Sequence, residues 1–238
     1  MTVSAGNVRI MTSGAFTAAY LALIPQLEGL TKRKLITLST SIGIGDSYIP
    51  NRLRRGEVAD VVIVADAVLR QCVADGLVNP DGCTPIARSS IGMAVRAGAP
   101  KPDISSIGAL RATLLKAKSI GYSASVSGQY VMTDLCDRLG IKEEVARKGC
   151  RIGDERIGAV VARGEVEIGF EQMSELLPVP GIAHITPLPP GAQKVTVFSA
   201  GVAAKSPKPE LARGVIRFLA SHEAASAITA SGLQPIGD

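Results

Sequence analysis

The chain has 238 residues, 46% hydrophobic and 20% charged, which is enough apolar material for one large core or two modest ones and too much for a disordered chain. Aromatic residues make up 3% with no Trp, poor material for stacking bases, and no run approaches the roughly 18 apolar residues that span a bilayer, so neither a nucleic-acid partner nor a membrane span is expected. The net charge of +5 mildly favours anionic ligands, and four cysteines without a CxxC pair, beside two histidines, argue against a zinc site.

The first residues, Met1 to Asn7, show no basic segment followed by an apolar stretch. No signal peptide is read there, and the expected location is cytoplasmic, or periplasmic if a leader has been removed. Short β-branched runs then alternate with helical patterns, the signature of α/β units around mainly parallel sheets. Val8 to Met11 reads as a strand, Thr12-Ser13-Gly14 as a turn and Ala15 to Leu27 as a helix. A strand at Leu35 to Leu38, a polar loop from Ser39 to Asp46 and a helix from Ser47 to Arg55 follow. Asp60 to Ala65 is a continuous apolar run, so it predicts a strand buried on both faces, with Asp66 opening the next helix.

Beyond Asn79-Pro80-Asp81-Gly82, Ile86 to Val95 reads as one long strand, then come a helix at 106–116 and a strand from Ser119 to Tyr122. The Ser-rich loop 123–127 leads into a helix from Gly128 to Leu139. Later come a helix from Asp154 to Arg163, a strand from Val166 to Phe170, a short helix at 171–177, a strand from Val195 to Ala203 and two closing helices. Arg55-Gly56-Glu57-Val58 is echoed by Arg163-Gly164-Glu165-Val166, and each joins a helix to a buried strand through Gly. The echo predicts two lobes of similar construction, 1–84 plus 200–238 and 85–199, joined by the extended segments 86–96 and 195–204.

In open α/β sheets, ligands sit beyond the carboxyl ends of strands, facing helix N-termini. The turns there carry Ser13 and Gly14, Ser41, the serines Ser123, Ser125 and Ser127, and Glu171-Gln172. Free amides plus hydroxyl donors make an anion cradle, although each turn taken singly is also an ordinary helix cap. Arg88, beside Ser89, is a candidate for gripping a carboxylate. His184 and His222 lack the setting of a triad base, and neither GxxxxGK[ST] nor GxGxxG occurs, so no nucleotide or metal cofactor is expected.

The segment from Gly56 to Asp66 and the order of elements resemble the periplasmic molybdate-binding proteins of ABC importers, which have type II periplasmic-binding folds of two α/β lobes around a ligand cleft. In that family one serine after the first strand and one in the loop after the second hold the oxyanion. These positions fall at Ala15, with Ser13 nearby, and around Ser41 to Ser47, where Asp46 stands. Further segments resemble a branch that includes bacterial aconitate isomerases. They are Ser13 to Phe16, Ile49 to Leu53, Ser89 to Arg96, Tyr122 to Gly128 and Gly169 to Leu177. The branch often carries an acidic residue in its serine loop, where this chain has Ala124.

The branch resemblance implies a cofactor-independent isomerase that shifts a double bond in a di- or tricarboxylate by proton transfer. Glu171 is then the candidate base, with Tyr122 and Asp46 as alternatives, and Glu171 also reads as a first-turn helix acid. The wider resemblance implies instead the binding component of an importer for molybdate, another oxyanion or a carboxylate, with an ABC permease as partner if the chain is secreted.

Overall fold

The computed structural model describes residues 6–41, 45–153 and 155–236, with backbone only at 39–41. In chain order the first elements are β1 (Val8–Ser13), α1 (Gly14–Thr31), β2 (Leu35–Ser41), α2 (Ile49–Arg54), β3 (Val61–Ala65), α3 (Asp66–Ala74) and β4 (Thr84–Ser89). The middle holds β5 (Ile91–Arg96), α4 (Ile107–Lys116), β6 (Ile120–Ser123), α5 (Val126–Tyr130), a π-helical segment (Val131–Leu135), α6 (Cys136–Arg138), α7 (Lys142–Ala146), β7 (Gly149–Ile152), α8 (Ile157–Arg163), β8 (Ile168–Gln172), α9 (Met173–Leu176) and β9 (Ile182–Pro187). The chain closes with β10 (Thr196–Val202), α10 (Pro209–Leu219), α11 (His222–Ala230) and β11 (Gln234–Pro235).

Two compact units result. The first contains 6–41, 45–88 and 196–236, and the second contains 89–195. In the first, a six-stranded sheet runs β11-β4-β10-β3-β1-β2, with β3 and β2 parallel to β1 and β10 antiparallel to β3. Its strand β3 shows why the Asp60–Ala65 run is continuous. Val61 and Ile63 pack into a cluster with α1, α10 and α11, while Val62 and Val64 pack into another with Leu53, Leu69 and Cys72. Covered on both faces, the strand has no polar side to alternate with.

The second unit has a five-stranded sheet in the order β7-β6-β8-β5-β9. One face carries a cluster of Met93, Leu110, Ile120, Val131, Leu135 and Phe170, and the other packs Ile157, Val160 and Val161 of α8. Gly121 and Gly169 lie beneath α8, where an added Cβ would fall 2.5–2.9 Å from Ile157, Val161 or Val166. These glycines allow the helix its close approach. Lys148 Nζ donates to the carbonyls of Leu114, Leu115 and Ala117, supplying a cation to the open end of α4.

The echoed Arg-Gly-Glu-Val segments do the same work in both units, since Gly56 and Gly164 have φ of 88° and 77°. Other expectations change. The run from Ile86 to Val95 is two strands broken at Ser90, because β4 pairs with β11 in one sheet and β5 with β8 in the other. The helix expected from Gly128 to Leu139 begins at Val126 and passes through a π-helical segment, and α7 and β7 carried no clear sequence period. β8 extends to Gln172, so Glu171 is a strand residue and not a first-turn helix acid. The strand ladders carry the unit boundaries to Arg88 and Val195, where 84 and 199 were expected.

Candidate functional site

In the second unit, β6 ends at Ser123 and α5 starts three residues later, so the serines must turn the chain within one loop. Gly128 makes the turn possible. A Cβ there would lie 2.0 Å from the Ser123 carbonyl oxygen and 2.7 Å from its nitrogen, so only Gly fits the approach. The turn lines up the hydroxyls, with Ser123 Oγ 2.6 Å from Ser125 Oγ and Ser125 Oγ 3.0 Å from Ser127 Oγ. Three hydroxyls bring three O–H donors to two contacts, which leaves one donor for an outside acceptor. Ser125 is the N-cap of α5, yet its side chain makes no capping bond to the helix. The loop therefore keeps donors that an ordinary cap would consume.

Glu171 stands on the neighbouring strand. β6 and β8 are parallel and in register through Tyr122 and Phe170, so one rung further Ser123 and Glu171 share a face. Tyr122 takes the other face and packs against the cluster of Val131, Leu135 and Val145, away from Glu171. Gln172 likewise faces opposite to Glu171, and pairs with Ile91. Both Glu171 and Gln172 are buried.

Glu171 is 3% exposed, and its Oε2 has no hydrogen-bond partner among the described residues. Burial holds its carboxyl well above the ordinary carboxylate range, and the Glu175 charge pushes it further. Arg156 and the backbone N–H groups of Ile157 and Gly158, which donate to the carboxyl, pull the other way without prevailing. Burial also raises Glu175, against Arg156, whose Nη1 is 3.4 Å from Glu175 Oε1. Of the two, Glu171 is raised further, because Glu175 has the Arg156 cation beside it and a side chain 16% exposed. Sequence reasoning missed Glu175 and Arg156. The only signal was an acid four residues beyond Glu171, and that spacing means little across a strand–helix junction.

The remaining candidates disperse. Ser89 and Ser174 are buried with hydroxyls that have no partner among the described residues. Arg88 belongs to the first unit, on β4 opposite Gln234, and is exposed. Ser13 precedes the 18-residue α1 and does not cap it, and its Oγ is buried without a described partner beside the buried Gly14. Ser41 pairs with Ser13 through the backbone, but its side chain lies outside the described residues. The Asp46 side chain is fully exposed, 3.5 Å from Arg55. Among the described residues, no group of three or more His, Cys, Asp or Glu could hold a metal ion.

The sequence pattern of a family described as bacterial extracellular solute-binding protein matches residues 8–234. A Pseudomonas protein named aconitate isomerase is 43% identical over 231 residues, covering 97% of this chain and 88% of that one. Among solved structures, the periplasmic molybdate-binding protein of Azotobacter vinelandii superposes with a TM-score of 0.75 at 15% identity, over 95% of this chain and 98% of that one. The sulfate-binding protein of Mycobacterium tuberculosis gives 0.76 at 16%, over 97% and 87%. At such identities these structures speak for the fold, which is the type II periplasmic-binding fold of two α/β lobes. The expected cytoplasmic location is corrected: the family that matches residues 8–234 is described as extracellular, which points to a secreted location.

Proposed function

We propose, from the premise that this chain belongs to the bacterial extracellular solute-binding protein family, that it captures a small carboxylate or oxyanion for delivery to an importer. The observation that carries this reading is the serine chain at the end of β6, with one O–H left over and a helix start left uncapped by side chains. Hydroxyls and amides hold an anion without a cationic side chain, so the ligand can also leave. Ser13 and Gly14 at the start of α1 offer donors of the same kind in the first unit. Calorimetric titration with trans-aconitate, molybdate and sulfate tests the reading. Saturable binding of at least one, weakened at least about tenfold by Ser125→Ala, is expected; no binding by any of the three overturns it.

A second reading is favoured by the 43% identity to the aconitate isomerase and by the buried Glu171 carboxyl, whose pKa is raised well above the ordinary carboxylate range. An isomerase breaks a methylene C–H bond, spreads the electron pair into the conjugated carboxylates as a dienolate, and forms a new C–H bond at the other end of the allyl system. Serine donors would stabilise the dienolate, and Glu171 in its ionised form, a stronger base than an ordinary carboxylate because its pKa is raised, would accept the methylene proton and return it to the other carbon. Incubation of trans-aconitate with the protein in deuterium oxide, followed by NMR, separates the readings. Formation of deuterated cis-aconitate selects the isomerase, and tight binding without exchange selects the receptor.

A further inference from the structure

We propose that Glu171 is the proton-bearing group of the anion site in the second unit, and that Glu175 and Arg156 are positioning residues that set when it gives the proton up. The inference rests on the reading that the serine loop receives an anion, and it concerns how that site responds to pH and charge. Three observations support it. The shared face of β6 and β8 puts Glu171 one strand away from Ser123, the inner end of the hydroxyl chain. The Glu171 carboxyl is buried, and although it accepts from the backbone N–H groups of Ile157 and Gly158, its Oε2 has no partner among the described residues, so one oxygen is left open where most buried carboxyls have both engaged. The Glu175–Arg156 pair then sets a negative and a positive charge against the same carboxyl.

The charged groups whose fields reach Glu171 among the described residues are Glu175, on α9, and Arg156, just before α8. The neighbouring elements β5 and β6 contribute Gly92 and Ser123, which carry no charge. Protonated, Glu171 adds no charge beside the serine loop and has an O–H to offer. Ionised, it sets a like charge one strand from the bound anion, and the anion is repelled. Loss of one proton from the protein should therefore accompany loss of affinity.

The test is affinity measured by calorimetry between about pH 6.5 and 9.5, where trans-aconitate, molybdate and sulfate are fully ionised and add no slope of their own. With whichever of these binds, affinity should fall as pH rises through the titration of Glu171, by up to about tenfold per pH unit, the slope of a single proton. Glu171→Gln, neutral at every pH, should give a level profile. Glu175→Gln removes the repelling charge and frees Arg156 to act on Glu171, so the fall should begin at lower pH. Arg156→Gln removes the attracting charge and should move the fall to higher pH. Opposite displacements from two partners of one ion pair are not what loss of packing produces, and thermal melting of each variant checks that it folds. A level profile in the wild-type protein overturns the inference while leaving the anion reading intact. Displacement in the same direction for Glu175→Gln and Arg156→Gln also overturns it. Failure of the wild-type protein to bind any of the three anions overturns the anion reading, and this inference with it.

Discussion

Glu171 is a carboxyl buried at a strand end, its pKa held above the ordinary carboxylate range by burial and the Glu175 charge, and that shift has a consequence for stability apart from any ligand. Because folding raises its pKa, the folded chain holds a proton that the unfolded chain releases, from the ordinary carboxylate range up to the raised value. Stability from this group is greatest in acid and declines as pH climbs through that window. Glu171→Gln keeps the shape and cannot ionise. Melting followed between about pH 5 and 9 should show the variant changing less than the wild-type protein and exceeding it at the alkaline end by about 1 kcal/mol, or roughly 2–4 °C. A wild-type melting temperature that rises across that range would contradict the raised pKa. Glu171 was visible in the sequence as a candidate acid, but its raised pKa was not. Burial and the Glu175 charge arise only when β8, α8 and α9 are packed together.

Among the elements, the turn from β6 into α5 is where a small change should matter most. In an exposed helix, Gly→Ala gains about 1 kcal/mol from reduced backbone freedom. At Gly128 the new Cβ would meet the Ser123 backbone at 2.0–2.8 Å, and backbone cannot swing aside as a flexible side chain can. Overpacking of this kind costs about 1–3 kcal/mol or more, so the steric cost wins. Gly128→Ala should lower stability by about 2 kcal/mol in urea unfolding and abolish anion binding by splaying the serine hydroxyls apart. Unchanged binding would show that the loop does not hold the ligand. Most elements were legible from their period, and the unread ones explain themselves. α7 and β7 are 5 and 4 residues long, too short to show a period, and the π-helical segment inserts into an otherwise regular apolar pattern. Ile86 to Val95 reads as one strand because apolar content does not record which sheet a residue joins.

For the whole molecule, the described residues of the second unit all come from the one stretch 89–195, whereas the first is assembled from separate stretches. The second unit's clusters draw only on residues from Ile91 to Ala192, and Gln193 ties the ends of the stretch together. Gln193 accepts from Ile91 N at 2.8 Å and donates to Ile91 O at 2.9 Å, standing in for a strand partner. A fragment of Ser89–Val195 should therefore fold alone, with one cooperative thermal transition by circular dichroism. A non-cooperative melt would mean that the unit needs the rest of the chain.

The alternation of strands and helices, the two buried strands preceded by Arg-Gly-Glu-Val, and a serine-rich turn facing a helix start were all set by the sequence. Each follows from local periodicity and backbone preference, and together they carried the two-lobed α/β class and its family resemblance. The tertiary structure alone decided which strand end faces which. It set Ser123 beside Glu171, packed the half-buried Tyr122 against the core and turned Arg88 to solvent, and brought Glu175 and Arg156 to bear on one carboxyl. Those relations depend on sheet order, register and burial, which join residues far apart in the chain and leave no periodic trace along it.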